Sequence, residues 1–81
     1  VTYVVQVSVM PKAGIADPQG QTIESALPAL GFVGVTRVRM GKAIMLEIDA
    51  SSREQAVASV NEMCERLLAN TVIETYEVIC G

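Results

Sequence analysis

Residues 63–74 read Met63-Cys64-Glu65-Arg66-Leu67-Leu68-Ala69-Asn70-Thr71-Val72-Ile73-Glu74. Met63, Cys64, Leu67 and Leu68 share one helix face by the i, i+3, i+4 rule. The pattern breaks at Asn70, a residue that tolerates the left-handed conformation closing many helices. Val72 and Ile73 follow directly, both β-branched and strand-favouring. The stretch therefore predicts the last turn of a long helix joined by a short corner to a strand. Such a corner fixes how the helix lies on a sheet, and the rest of the chain must supply that sheet.

Upstream, the same helix starts at Ser51-Ser52. Ser51 with Glu54 makes a capping box, and Ser52 with Gln55 is an equally good alternative. Val57, Val60, Cys64, Leu67 and Leu68 then form the expected buried stripe, flanked by Ala56 and Met63. Downstream, Thr75–Cys80 reads as a final strand with Tyr76, Val78 and Cys80 on one face.

At the other end, Tyr3–Met10 alternates, with Tyr3, Val5, Val7 and Val9 on one side and Thr2, Gln6 and Ser8 on the other. This is a half-buried strand, ended by Pro11. Val4 and Met10 interrupt its polar side and mark it as a partly apolar surface. Asp17-Pro18-Gln19-Gly20 opens a first helix, with Asp17 as N-cap and Pro18 at N1, where no N–H is needed. Ile23, Ala26, Leu27 and Leu30 form its expected buried face. Pro28 removes the hydrogen bond to the Glu24 carbonyl and should distort the last turn. Gly31 suits the left-handed C′ position, with Phe32 folding back onto Leu27. Val35–Met40 and Ile44–Asp49 read as two strands around Gly41-Lys42. A two-residue turn would place Arg37 and Arg39 on the face of Leu46 and Ile44. A three-residue loop, Gly41–Ala43, pairs apolar with apolar, and register follows the buried face.

The predicted order is β-α-β-β-α-β in a single domain over residues 1–81. Two helices with one apolar face each, on an antiparallel sheet, define an α+β two-layer sandwich of the ferredoxin-like kind with both helices on one face. Leu67→Ala is then a core deletion.

Composition limits what this domain does. The 81 residues carry a net charge of −3 and no basic block, which argues against a nucleic-acid partner. No apolar run is long enough to cross a bilayer. The chain has no His, so Cys64 lacks the usual base. Cys64 and Cys80 read as reduced, small apolar residues of a cytoplasmic protein. No Gly-x-Ser-x-Gly elbow, phosphate loop, paired carboxylates or metal-ligand cluster is present. Catalytic, cofactor and metal sites are all expected to be absent. The hydrophobic content of 51% is more than so small a domain hides alone, and points to self-association as a dimer or tetramer. Two surfaces are candidates for partner docking. One is the helix start at Asp17, Gln19 and Gly20, through its oriented N–H groups. The other is the basic group Arg37, Arg39 and Lys42; charge reversal at Arg37 and Arg39 should weaken assembly while leaving the isolated fold intact.

Taken in order and spacing, Asp17-Pro18-Gln19-Gly20, Val38-Arg39, Gly41-Lys42 and Leu67-Leu68-Ala69-Asn70-Thr71-Val72-Ile73-Glu74 closely resemble the PurS family. These are small subunits of phosphoribosylformylglycinamidine synthase in de novo purine biosynthesis. The likeness spans nearly the whole chain. Pro28 inside the first helix departs from it, as does Thr75-Tyr76-Glu77-Val78 where many relatives have an Asp-Tyr-x-Tyr-like segment. The resemblance implies a subunit without catalysis of its own. It would dimerise, bring an ATP-dependent synthetase subunit together with a glutaminase subunit, and support ammonia transfer between them. Two other uses of this element order are an amino-acid-sensing module of the ACT type and an acylphosphatase-like enzyme. The second needs an Arg after the first strand, where Pro11–Gly14 offers only Lys12.

Overall fold

The computed structural model describes residues 1–81. Strand β1 spans Thr2–Pro11, helix α1 Pro18–Ala26, strand β2 Lys42–Asp49, helix α2 Arg53–Met63 and strand β3 Glu74–Cys80. The sheet is antiparallel in the order β2-β1-β3. The architecture is mixed α+β and ferredoxin-like, with three strands in the sheet.

Strand β1 is central because its alternation gives one wholly apolar face. Val5, Val7 and Val9 are buried, and register places Val7 between Ile44 on one side and Val78 on the other. Cys80 stands opposite Val5 and Tyr76 opposite Val9, so the predicted face of the last strand is correct. Ala56, Val60, Cys64 and Ala69 close the core from the α2 side. Ser52 is the N-cap of α2: its Oγ accepts from the Gln55 N–H at 3.1 Å, the second of the two capping options.

The chain corrects the sequence reading at the end of α2. Residues Cys64–Leu68 form a π turn, in which the Ala69 N–H reaches back to the Cys64 carbonyl at 3.1 Å. A regular α-helix would point Leu67 and Leu68 inward after Cys64. The wider turn moves the inward positions one residue on, to Leu68 and Ala69. Leu67 is consequently 82% exposed and is not part of the core. The corner also closes differently. Ala69 is extended, and the only non-glycine residue with positive φ is Arg37, so Asn70 is not left-handed. Asn70 works through its side chain instead: its Oδ1 accepts from the Val72 N–H at 3.2 Å, and its carbonyl accepts from Ile73 and Glu74. The Glu74 carboxylate completes the corner by accepting from the Asn70 N–H at 2.7 Å.

A second correction concerns the middle of the chain. Pro28 converts the end of α1 into a 3-10 turn over Leu27–Leu30, and Gly31 closes it in the left-handed region at φ 95°, as expected. The Phe32 N–H bonds the Leu27 carbonyl at 3.1 Å. Val35–Met40, however, is not a strand of this sheet, and no hairpin forms around Gly41-Lys42. The segment is held by side chains of α1 instead of by β2. Helix α1 likewise does not pack on the sheet of its own chain. Ile23, Ala26 and Leu30 of its expected buried face are exposed, and only Leu27 is half-covered. The molecule is correspondingly long, 51 × 26 × 14 Å, with a radius of gyration of 16.1 Å. A compact chain of this length would have about 12 Å.

Candidate partner-docking site

The start of α1 is built by one carboxylate. Asp17 Oδ1 accepts from the Gly20 N–H at 3.0 Å and Oδ2 from the Met40 N–H at 2.7 Å. Asp17 is therefore both the N-cap of α1 and the anchor of the segment that precedes β2. Two turns along, Glu24 Oε1 accepts from the Val38 N–H at 2.9 Å. These amides hold the Asp17 carboxyl below the usual carboxylate range, Met40 first and Gly20 next. Arg39 adds attraction, and partial burial opposes it. Gly20 is buried under this arrangement, and a Cβ there would come within 2.6 Å of the Val38 carbonyl. The glycine in the first turn is thus explained by close backbone approach. Gly41 has the same role at the end of β1, where a side chain would collide with the Val9 carbonyl and the Met10 sulfur.

The six sequence-predicted docking residues do not form one surface. Asp17, Gln19 and Lys42 line a cleft of about 380 Å³ together with Pro11, Gly41 and Glu74. Gly20 is buried and does not line it. The Arg39 guanidinium donates to the carbonyls of Pro11 and Lys12, the latter at 2.9 Å, so it ties residues 38–40 to the end of β1. Charge reversal at Arg39 therefore perturbs the chain itself, against the expectation that the fold would be indifferent. Arg37 stands outside the cleft, exposed, with φ 58°. Left-handed backbone is costly for a side chain of this kind. It is fixed here on its C-terminal side by the Val38 N–H bond to Glu24.

Sequence reasoning missed three contributors. Ile73 and Glu74 form a wall of the cleft, because the Lys12 N–H bonds the Ile73 carbonyl at 2.8 Å and draws the corner against the loop after β1. The signal was available in the conspicuous Val72-Ile73-Glu74 ending. Glu24 gave no signal, since its partner is a backbone amide 14 residues away.

No cysteine lines the cleft. Cys64 lies in the core, where burial, with Glu65 adding to it, pushes its thiol up and away from the reactive thiolate. No group of three or more His, Cys, Asp or Glu side chains is placed to hold a metal. No helix is long and apolar enough to cross a membrane.

The fold is thus a small ferredoxin-like α+β domain with a short core, a large exposed apolar surface and a cleft edged by charged side chains. The profile of one family, described as PurS: Phosphoribosylformylglycinamidine (FGAM) synthase, matches residues 4–80. The synthase subunit PurS of Bacillus subtilis is 47% identical over 74 residues, covering 91% of this chain and 87% of that protein. The crystal structure of the PurS subunit of the synthase from Thermotoga maritima superposes with a TM-score of 0.92 at 36% identity, over 100% of this chain and 93% of that one. A chain in the structure of PurLQS from the same organism matches with a TM-score of 0.91 at 36% identity, over 100% and 99%. The chain belongs to the PurS family of phosphoribosylformylglycinamidine synthase subunits. Nothing among these matches favours an ACT-type sensor.

Proposed function

We propose that this chain is the non-catalytic small subunit of a glutamine-dependent, ATP-consuming phosphoribosylformylglycinamidine synthase in the cytoplasm. It assembles the large synthetase subunit with the glutaminase subunit, supports ammonia transfer, and acts as a homodimer or tetramer. The observation that carries this reading is the match to the PurS profile from residue 4 to residue 80. The Thermotoga PurLQS structure supports the composition of the assembly.

The geometry suggests how such a subunit would be recognised. Three motif stretches far apart in sequence, Asp17–Gln19, Met40–Lys42 and Ile73–Glu74, meet at one cleft. Its rim presents the Lys42 ammonium and the Asp17 and Glu74 carboxylates to a partner, with Gln19 as a neutral donor and acceptor. Gly20 allows the close approach of Val38, Arg39 ties residues 38–40 to the end of β1, and Arg37 is an exposed cation outside the cleft. Charged rims steer association and fix orientation more than they add affinity.

The experiment is to mix the chain with its large and glutaminase subunits and measure complex formation by size exclusion with light scattering. Lys42→Glu and Arg37→Glu should each weaken the complex, and added salt should weaken the native one. Full assembly by both variants would remove this surface from the docking site. Failure of the native chain to join either subunit would remove the proposed function.

A further inference from the structure

The cleft at the start of α1 is lined by three charged side chains, and two of them are committed to the chain's own backbone. Asp17 accepts from the Gly20 and Met40 amides with its two oxygens, and Glu74 Oε1 accepts from the Asn70 N–H. The third, Lys42, has no such role. The ion pairs of the chain lie elsewhere, between the Val1 amine and Asp49 and between Arg66 and Glu62. Lys42 is exposed and pairs with no carboxylate of its own chain.

The backbone fixes where this cation stands. Lys42 opens β2 opposite Val9, which is buried in the core, and Glu74 opens β3 opposite Pro11. Both side chains therefore edge the end of the sheet and not a free loop. An unpaired ammonium beside two anchored carboxylates admits an acidic group at one point only, because Asp17 and Glu74 repel it from the rest of the rim. Between these charges the lining is apolar, with Ile15, Met40 and Ile73 beside Pro11 and Pro18. Ile15 is 37% exposed, Met40 43% and Ile73 38%, so this floor is shallow. Pockets for small molecules enclose roughly 70–90% of their ligand, which a floor this open does not do. A side chain projecting from a larger protein surface needs no such enclosure, since the rest of that surface closes over it. The volume of about 380 Å³ suits a side chain or two and not a folded element.

We infer that the cleft receives a short segment of a partner subunit in which an Asp or Glu stands next to a large aliphatic residue. The carboxylate pairs with Lys42, and the aliphatic group rests on Ile15, Met40 and Ile73. This rests on the assembly role proposed above and names the chemistry of one contact. An ion pair that the partner's surface closes off from water is stronger than the same pair on a free surface. The apolar floor supplies that exclusion, as weakly contributing neighbours do around an interface hot spot.

The test uses the complete assembly of this chain with the large synthetase and glutaminase subunits. A carbodiimide, which joins an ammonium to a carboxylate without a spacer, is applied to the complex, and the joined peptides are identified by mass spectrometry. The expected result is a link from Lys42 to an Asp or Glu of one partner subunit. In parallel, the affinity of Lys42→Met and of Ile15→Ser for the same partners is compared with that of the native chain. Both side chains are exposed in the single chain, so the melting curves of the variants should match the native one. Each variant should weaken the complex about tenfold or more. A Lys42 that stays unlinked in an assembled complex, or links only to a second copy of this chain, would overturn the inference and leave the assembly role standing. Binding of Lys42→Met as tight as the native chain's would do the same. A native chain that joins neither subunit would overturn the assembly role and the inference with it.

Discussion

The π turn at Cys64–Leu68 predicts that two apolar residues on the same helix differ sharply in what they contribute. Val60 is fully buried against Val5, Val7 and Cys64, whereas Leu67 is 82% exposed. Val60→Ala removes two methyl groups from a closed environment. At ~0.8 kcal/mol for each, transfer costs about 1.6 kcal/mol, and the unfilled space raises the total to roughly 2–3 kcal/mol. Leu67→Ala removes atoms already in water and trades leucine for a better helix former, so the change should stay within about 0.5 kcal/mol. Urea denaturation followed by circular dichroism separates these cases. For a chain of this length, the Val60 variant should also melt about 10 °C or more below the native protein, and the Leu67 variant within a few degrees of it. A Leu67→Ala loss equal to that of Val60→Ala would mean that α2 continues as a regular α-helix and that the register shift is wrong.

Gly20→Ala should release residues 38–40 from α1, because the new Cβ meets the Val38 carbonyl; faster amide exchange at Val38 and Met40, with little change in β1, is the expected readout. The Asp17 clamp should also be acid-sensitive. Its carboxyl titrates below the ordinary value in the folded chain, so its contribution is present above the unfolded value of about 4 and fades as pH falls through the lowered one. Chemical shifts of the Met40 amide should stay flat from neutrality to about pH 4 and move below it, and Asp17→Asn should abolish that movement. Tyr76 donates its hydroxyl to Glu65 Oε2 at 2.5 Å, which pushes the phenol up to about 12. Its pairing therefore favours the fold below the unfolded value of about 10 and is lost as pH rises through 12; Glu65→Gln should bring its ultraviolet titration down.

Much of this was legible in the chain because the signals were local. Alternation in β1 reports one apolar face, Asp17-Pro18 marks a helix start, and Gly31 marks its end. Each depends on neighbours within a few residues. Two features were not legible. The π turn replaces one backbone hydrogen-bond pattern by another with the same residues, and no side chain signals which pattern wins. The fate of Val35–Met40 was decided by groups far away in sequence: Asp17 and Glu24 take the Met40 and Val38 amides that a hairpin would have used. The apolar residues Val35, Val38 and Met40 were read as a strand, but the segment forms none, and Arg37 within it is left-handed. The docking residues divided for the same reason. Arg39 looked like a surface charge, and its guanidinium is consumed by two backbone carbonyls.

In the proposed role this chain is required for a reaction carried out by its partners. The most direct measurement is glutamine-dependent formation of phosphoribosylformylglycinamidine by the large synthetase and glutaminase subunits, with and without this chain. Activity that depends on the chain, and that the chain alone never shows, is the result predicted here. Equal glutamine-dependent rates in the two mixtures would contradict it.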